Sequence, residues 1–142
     1  MSIRDNIEKY GWQYQYVFDE NGKKPSFSYT IGLEESYSHP EIMIFGLKKD
    51  QMHDILSDLV NDIKEGREFE PDLKTSDVVS GNFEVIFKPL KQELFSEYAG
   101  TAVDYYKKPF RAYVMFWPDK HNILPTEAGC ELTVQNEALK VV

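Results

Sequence analysis

The side chains available for acid–base or nucleophilic chemistry are three histidines (His39, His53, His121), one cysteine (Cys130) and 24 Asp and Glu residues. A histidine beside a carboxylate or a thiol is the usual device for moving a proton or activating a nucleophile near neutral pH. The spacing here gives such a device little support. Cys130 stands between Gly129 and Glu131 with no base close in sequence, and reads as a small packing residue. His53 is followed by Asp54 inside a helical pattern and reads as a surface residue. His39, with Glu34, Glu35 and Glu41 around it, is the one stretch where a mixed imidazole–carboxylate metal site can be drawn; its plainer reading is a loop before a strand. There is no His-x-x-x-His, Cys-x-x-Cys, Gly-x-Gly-x-x-Gly, phosphate loop or Gly-x-Ser-x-Gly elbow. No catalytic residue is assigned, and neither a metal nor a cofactor is expected.

The carboxylates are unevenly placed. The chain carries a net charge of -8, and between Asp54 and Asp77 eight acids (Asp54, Asp58, Asp62, Glu65, Glu68, Glu70, Asp72, Asp77) face three bases. Free nucleic acid and anionic membranes are poor partners for such a surface, since both require clustered Lys and Arg. A solvated, solubilising face is one reading of the run, and a docking field for a basic protein is the other.

Aromatic residues are the second abundant resource: nine Tyr, nine Phe and two Trp. Many fill apolar strand faces. Tyr98, Tyr105, Tyr106 and Trp117 are expected in or near loops, where rings either close a cleft or anchor a partner. A flat cofactor such as flavin is an alternative occupant of such a cleft.

These residues must be positioned by elements whose patterns are legible. Ser2 is a candidate N-cap for a short helix reaching Lys9. Residues 12–18 alternate, with Trp12, Tyr14, Tyr16 and Phe18 on one face, and Asn21-Gly22 then offers a tight turn into a strand carrying Phe27, Tyr29 and Ile31. The apolar run at 41–45 reads as a central strand covered on both faces. Met52, Ile55, Leu56, Leu59, Val60 and Ile63 recur at helical spacing, which predicts the main helix at about 50–65, with Asp50 as its cap. On that helix Asp54, Asp58 and Asp62 form an outer acidic stripe. Strands are expected around Phe83–Val85–Phe87, over 110–117 and at 132–134, and a short helix over 93–99. The fold class is therefore α+β: a curled, mostly antiparallel sheet with one main helix and short additional helices, in a single domain spanning 1–142. No apolar run approaches the roughly 20 residues of a membrane span, and the first residues lack the apolar core of a signal peptide, so a cytoplasmic protein is expected.

Phe27-Ser28-Tyr29-Thr30-Ile31-Gly32-Leu33, His39-Pro40-Glu41 and Phe45-Gly46-Leu47 closely resemble the signature of the bacterial domain-of-unknown-function family DUF4262. Gly66, Gly81, Trp117-Pro118-Asp119, Pro125 and Gln135 add weaker matches, so the resemblance spans about residues 10–135. It implies a small bacterial cytosolic α+β domain and carries no catalytic set. By composition and context, small acidic domains of this kind resemble the immunity proteins that neutralise toxin domains.

The sequence is accordingly read as a non-enzymatic binding protein, an immunity or antitoxin-like inhibitor that occludes a bacterial toxin domain with a basic cleft. Its partner-binding residues would be Asp54, Asp58, Asp62, Glu65, Glu68, Glu70, Tyr105, Tyr106 and Trp117. The alternatives are an enzyme or flavin-binding domain of unknown reaction, and a scaffold for another protein.

Overall fold

Ser2 opens the first helix as its type predicts. Its hydroxyl accepts from the Asp5 amide at 3.1 Å, and the Asp5 carboxylate accepts from the Ser2 amide at 3.2 Å. This reciprocal cap begins α1 (Ile3–Tyr10), and Gly11, at φ +89°, ends it in the left-handed region. The structure, a computed structural model, describes residues 2–142.

Five strands follow: β1 (Gln13–Val17), β2 (Phe27–Ile31), β3 (Glu41–Phe45), β4 (Ile86–Pro89) and β5 (Ala112–Phe116), in the spatial order β1-β2-β3-β5-β4. All neighbours are antiparallel except β3 and β5, which run parallel with Glu41 opposite Ala112 and Ile44 opposite Met115. The parallel pair lies at the sheet centre. β3 and its partner are buried on both faces there, the environment that parallel strands require.

The helices divide between the two faces. α3 (Lys49–Lys64) covers one, burying Met52, Leu56, Leu59, Val60 and Ile63 against Ile42, Ile44, Phe87 and Met115. Each such side chain contributes roughly 1.5–3 kcal/mol by leaving water. The short α2 (Leu33–Tyr37) joins β2 to β3. On the other face Tyr29, Ile31, Met43, Phe45, Val114 and Phe116 meet α1, α4 (Phe95–Tyr98), α5 (Gly100–Tyr106) and α6 (Asn136–Lys140). The alternation of β2, with Tyr29 and Ile31 on one face and Ser28 and Thr30 on the other, fixes which layer each residue serves.

The mixed α+β class and the main helix are as the sequence predicts; several local expectations are corrected. α3 begins at Lys49, so Asp50 lies inside its first turn, and the Gln51 side chain accepts from the Lys48 amide at 3.2 Å. Phe83 lies outside β4, and Val85 makes only an isolated bridge to Thr75. Residues 93–99 split into a 3₁₀ turn (Gln92–Leu94) and α4, which leads directly into α5, so Tyr98, Tyr105 and Tyr106 stand on helices and not in loops. Residues 132–134 form no strand. The Gln135 side chain takes the ladder's place there: its Oε1 accepts from the Trp117 amide at 3.0 Å and its Nε2 donates to the Trp117 carbonyl at 2.8 Å. Among the described residues no helix is long and apolar enough to cross a membrane.

Candidate functional site

A groove of about 520 Å³ opens between the first turns of α3 and the loops that precede β4 and follow β5. Leu47, Ile55, Val79, Phe83 and Trp117 give it an apolar lining, and Gln51, Asp54, Ser80 and Lys120 complete it with polar groups. Asp54 is exposed and 3.6 Å from His53 Nδ1. Trp117 is pinned, since its indole N–H donates to the Phe45 carbonyl at 3.0 Å. The groove therefore brings together two of the residues singled out in the sequence, Asp54 and Trp117.

The other acids disperse. Asp58 is exposed one turn along α3, with Glu65 exposed just past the helix end. Asp62 is half-buried and paired with Arg67 at 3.0 Å, whose guanidinium lies 4.6 Å from the centre of the Phe69 ring. Glu68 and Glu70 border a smaller polar pocket of about 230 Å³ with His39, Arg67, Arg111 and Tyr113. Arg111 there makes a bidentate pair with Glu34, at 2.9 and 2.7 Å.

The aromatic expectation is the largest correction. Tyr105 and Tyr106 belong to the helical layer on the sheet face opposite α3, so they form no common surface with the acidic stripe. Tyr105 donates to Glu35 at 2.7 Å and carries Arg4 over its ring. Tyr106 is buried and offers no ring to a partner. Tyr98 packs near Phe27 and Phe45. Trp117 and Tyr98 border separate pockets, and Tyr105 and Tyr106 line neither of these.

Inside the core the Tyr106 hydroxyl meets Glu41. This carboxylate is 1% exposed and lies at the head of a central strand. It accepts from the Thr30 hydroxyl at 2.8 Å, from the amides of Leu33 and Glu34 at 3.1 Å each and of Gly32 at 3.3 Å, and from the Tyr106 hydroxyl. Burial pushes its carboxyl up to about 7, against the pull of these donors, of which Tyr106 is the strongest. Burial and the neighbouring carboxylate raise the Tyr106 hydroxyl in turn. His39 is buried next door: one ring nitrogen, Nε2, accepts from the Phe69 amide at 3.1 Å, and Nδ1 donates to the Pro40 carbonyl at 2.8 Å. That pattern requires a neutral ring, and burial holds the imidazole below its usual range. The metal reading of Glu34, Glu35, His39 and Glu41 fails on this geometry, because each side chain is engaged elsewhere. Among the described residues no group of His, Cys, Asp or Glu is arranged to hold a metal ion. Cys130 is half-buried.

A family model described as a domain of unknown function, DUF4262, matches residues 6–131. The chain belongs to the DUF4262 family. No curated protein and no solved structure matches it. Several of the residues by which this DUF4262 chain resembles its family fall into two clasps. Thr30, Gly32, Leu33 and Glu41 form the first, a buried polar network that ties β2, α2 and β3 to α5. Phe45, Gly46, Trp117, Asp119 and Gln135 form the second, behind the groove. Gly46, at φ +85°, lets the backbone of Val134 pass so close that an added Cβ would lie 3.0 Å from its carbonyl oxygen. Asp119 accepts from the amides of Glu131, Ile123 and His121 at 2.9–3.0 Å, donors that hold its carboxyl below the usual carboxylate range. It shapes the DUF4262 loop that carries Trp117 and Lys120 to the groove. The groove lining itself is not legible in any one segment, because Leu47, Ile55, and the pair Val79 and Phe83 come from three separate segments. Glu41 had a signal: an acid opening an otherwise apolar central strand must be buried and satisfied.

Proposed function

We propose that this protein is a non-enzymatic binding protein of the immunity type, which neutralises a bacterial toxin domain by stoichiometric occlusion. The observation that supports the reading is the meeting of Asp54, from the acidic helix, with Trp117 on one apolar groove. Such a groove accepts an apolar side chain, and the exposed Asp54 on its lining, with Asp58 one turn further along α3, favours a partner whose flanking residues are Lys or Arg. The net charge of -8 supports the same partner chemistry, a basic cleft built for nucleic acid or nucleotide. The buried carboxylate of Glu41 and the neutral His39 are enclosed in structural networks, away from the groove, and serve the fold.

The test is inhibition at equivalence. A secreted toxin domain encoded beside this chain is purified and its activity titrated with the protein. Activity falls to zero at one protein per toxin, and Ile55→Arg, which fills the groove floor with a charge, abolishes the effect while the variant melts as a folded protein. Inhibition that survives Ile55→Arg, or turnover of a substrate by the protein alone, overturns the proposal.

A further inference from the structure

The sheet ends in two edges that are treated differently. At β4 the edge is covered: the Asp72 amide donates to the Phe87 carbonyl at 2.9 Å, and Thr75 and Val85 exchange bonds of 2.8 and 2.9 Å. Lys88 and Pro89 discourage further pairing there. At β1 nothing comparable exists. Every residue of β1 pairs with β2, and among the described residues no backbone hydrogen bond joins Gln13–Val17 to any other segment. In an antiparallel pair alternate residues turn their N–H and C=O groups away from the neighbour, so β1 presents a row of free donors and acceptors.

The strand's own side chains put no charge on that row, and a cation beside it is Lys49 from α3, whose ammonium lies 5.3 Å from the centre of the Tyr16 ring. Residues 12–18 read Trp-Gln-Tyr-Gln-Tyr-Val-Phe, seven in succession without a charge, a proline or a glycine, in a chain that is 28% charged. Natural edges are normally blunted by just those residues. Phe18, stacked 6.0 Å from Tyr16, is 61% exposed at the end of the strand.

We infer that β1 is a self-association edge, on which a second copy of this chain adds its own β1 to form one continuous ten-stranded sheet. The occupant follows from charge. A basic partner is selected by the acidic surface, whereas an uncharged strand has no means of selecting one, and pairing with itself sets no like charges opposite each other. The strand is also self-complementary. Antiparallel pairing about a two-fold axis at Gln15 places Gln15 opposite Gln15, Tyr14 of one copy opposite Tyr16 of the other, and Gln13 opposite Val17, with the aromatic pairs on the α3 side. The seam is about 17 Å long, at roughly 3.4 Å per residue. It is shorter than a permanent interface needs, so the dimer forms with rising concentration. This inference stands independently of the toxin reading.

Sedimentation velocity of the full chain over a concentration series is expected to show its mass rising from one chain toward two. Gln15→Lys, which sets two ammonium groups face to face on the axis, keeps the protein folded and monomeric at every concentration. In a Cys130→Ser background, Gln15→Cys is expected to cross-link to a two-chain species on mild oxidation, while a control cysteine at the exposed Asp104 does not. A wild-type chain that remains monomeric throughout, a dimer that Gln15→Lys leaves intact, or a Gln15→Cys variant that fails to cross-link overturns the inference. Strand addition by a foreign protein alone falls under the first of these outcomes.

Discussion

The hydroxyl of Tyr106 donates to the buried carboxylate of Glu41, a residue 65 positions earlier in the chain. Through that bond α5, on one face of the sheet, is tied to the head of its central strand. Burial lifts the Glu41 carboxyl to about 7 from 4.5, so the folded chain holds a proton where the unfolded chain has released it. The stabilisation this contributes is complete below about 4.5 and is lost as pH rises through about 7. Tyr106→Phe removes the donor that most favours the ionised form. A loss of about 1–3 kcal/mol is expected, larger above neutrality than in mild acid. Denaturant unfolding on both sides of the transition checks it; an equal loss on the two sides would place the cause in packing alone.

His39 has the opposite sign. Burial holds its pKa below 6.5, so the unfolded chain gains the proton first as the solution is acidified. The stability is present above about 6.5 and is lost as pH falls below it. Protonation also converts Nε2 from the acceptor of the Phe69 amide into a donor. Replacing His39 with Ala is expected to lower the melting temperature at neutral pH and to flatten its decline on the acid side. An acid-side slope identical to that of wild type counts against the assignment.

Leu59 is 1% exposed on the inner face of α3. Truncation to Ala is expected to cost on the order of 2–5 kcal/mol, from lost transfer free energy and the cavity left behind. Thermal unfolding measures it directly, and a wild-type melting curve would contradict the packing of α3.

Gly32 occupies φ +118°, where an added Cβ would lie 2.9 Å from Ile7 Cγ1 and 3.0 Å from the Gly11 carbonyl oxygen. Gly32→Ala is therefore expected to destabilise by more than about 1 kcal/mol, since strain and close contact act together. Gly66, equally left-handed at φ +101° but open around its Cα, is expected to suffer less from the same change. Comparing the two melting temperatures separates contact from strain.

The acidic stripe divides at Arg67. Asp58→Lys changes an exposed position and is expected to leave stability within about 0.5 kcal/mol of wild type. Asp62→Lys breaks the pair with Arg67 and sets two cations together beside Phe69, so it is expected to be the less stable variant. Equal melting temperatures would mean that the ion pair contributes nothing.

By itself, the sequence determined the elements whose signal is local. Ser2 with Asp5 caps a helix, the apolar positions from Met52 to Ile63 describe the buried face of α3, and the run at 41–45 marks a strand covered on both sides. Its signature residues also identified the family. Each of these depends on a period or on an ordered motif a few residues long. Only the tertiary structure decided the rest. Tyr106 sits inward on α5, with its ring in the core and its hydroxyl on a carboxylate 65 residues away. Residues 132–134 form no strand because the Gln135 side chain bonds the Trp117 backbone instead. The expected acidic and aromatic surface divides, with Asp54 and Trp117 on one side of the sheet and Tyr105 on the other. Periodicity reports which face of an element is apolar. Which layer that element joins is set by strand order and by the pairing of buried polar groups, and neither is written in any one segment.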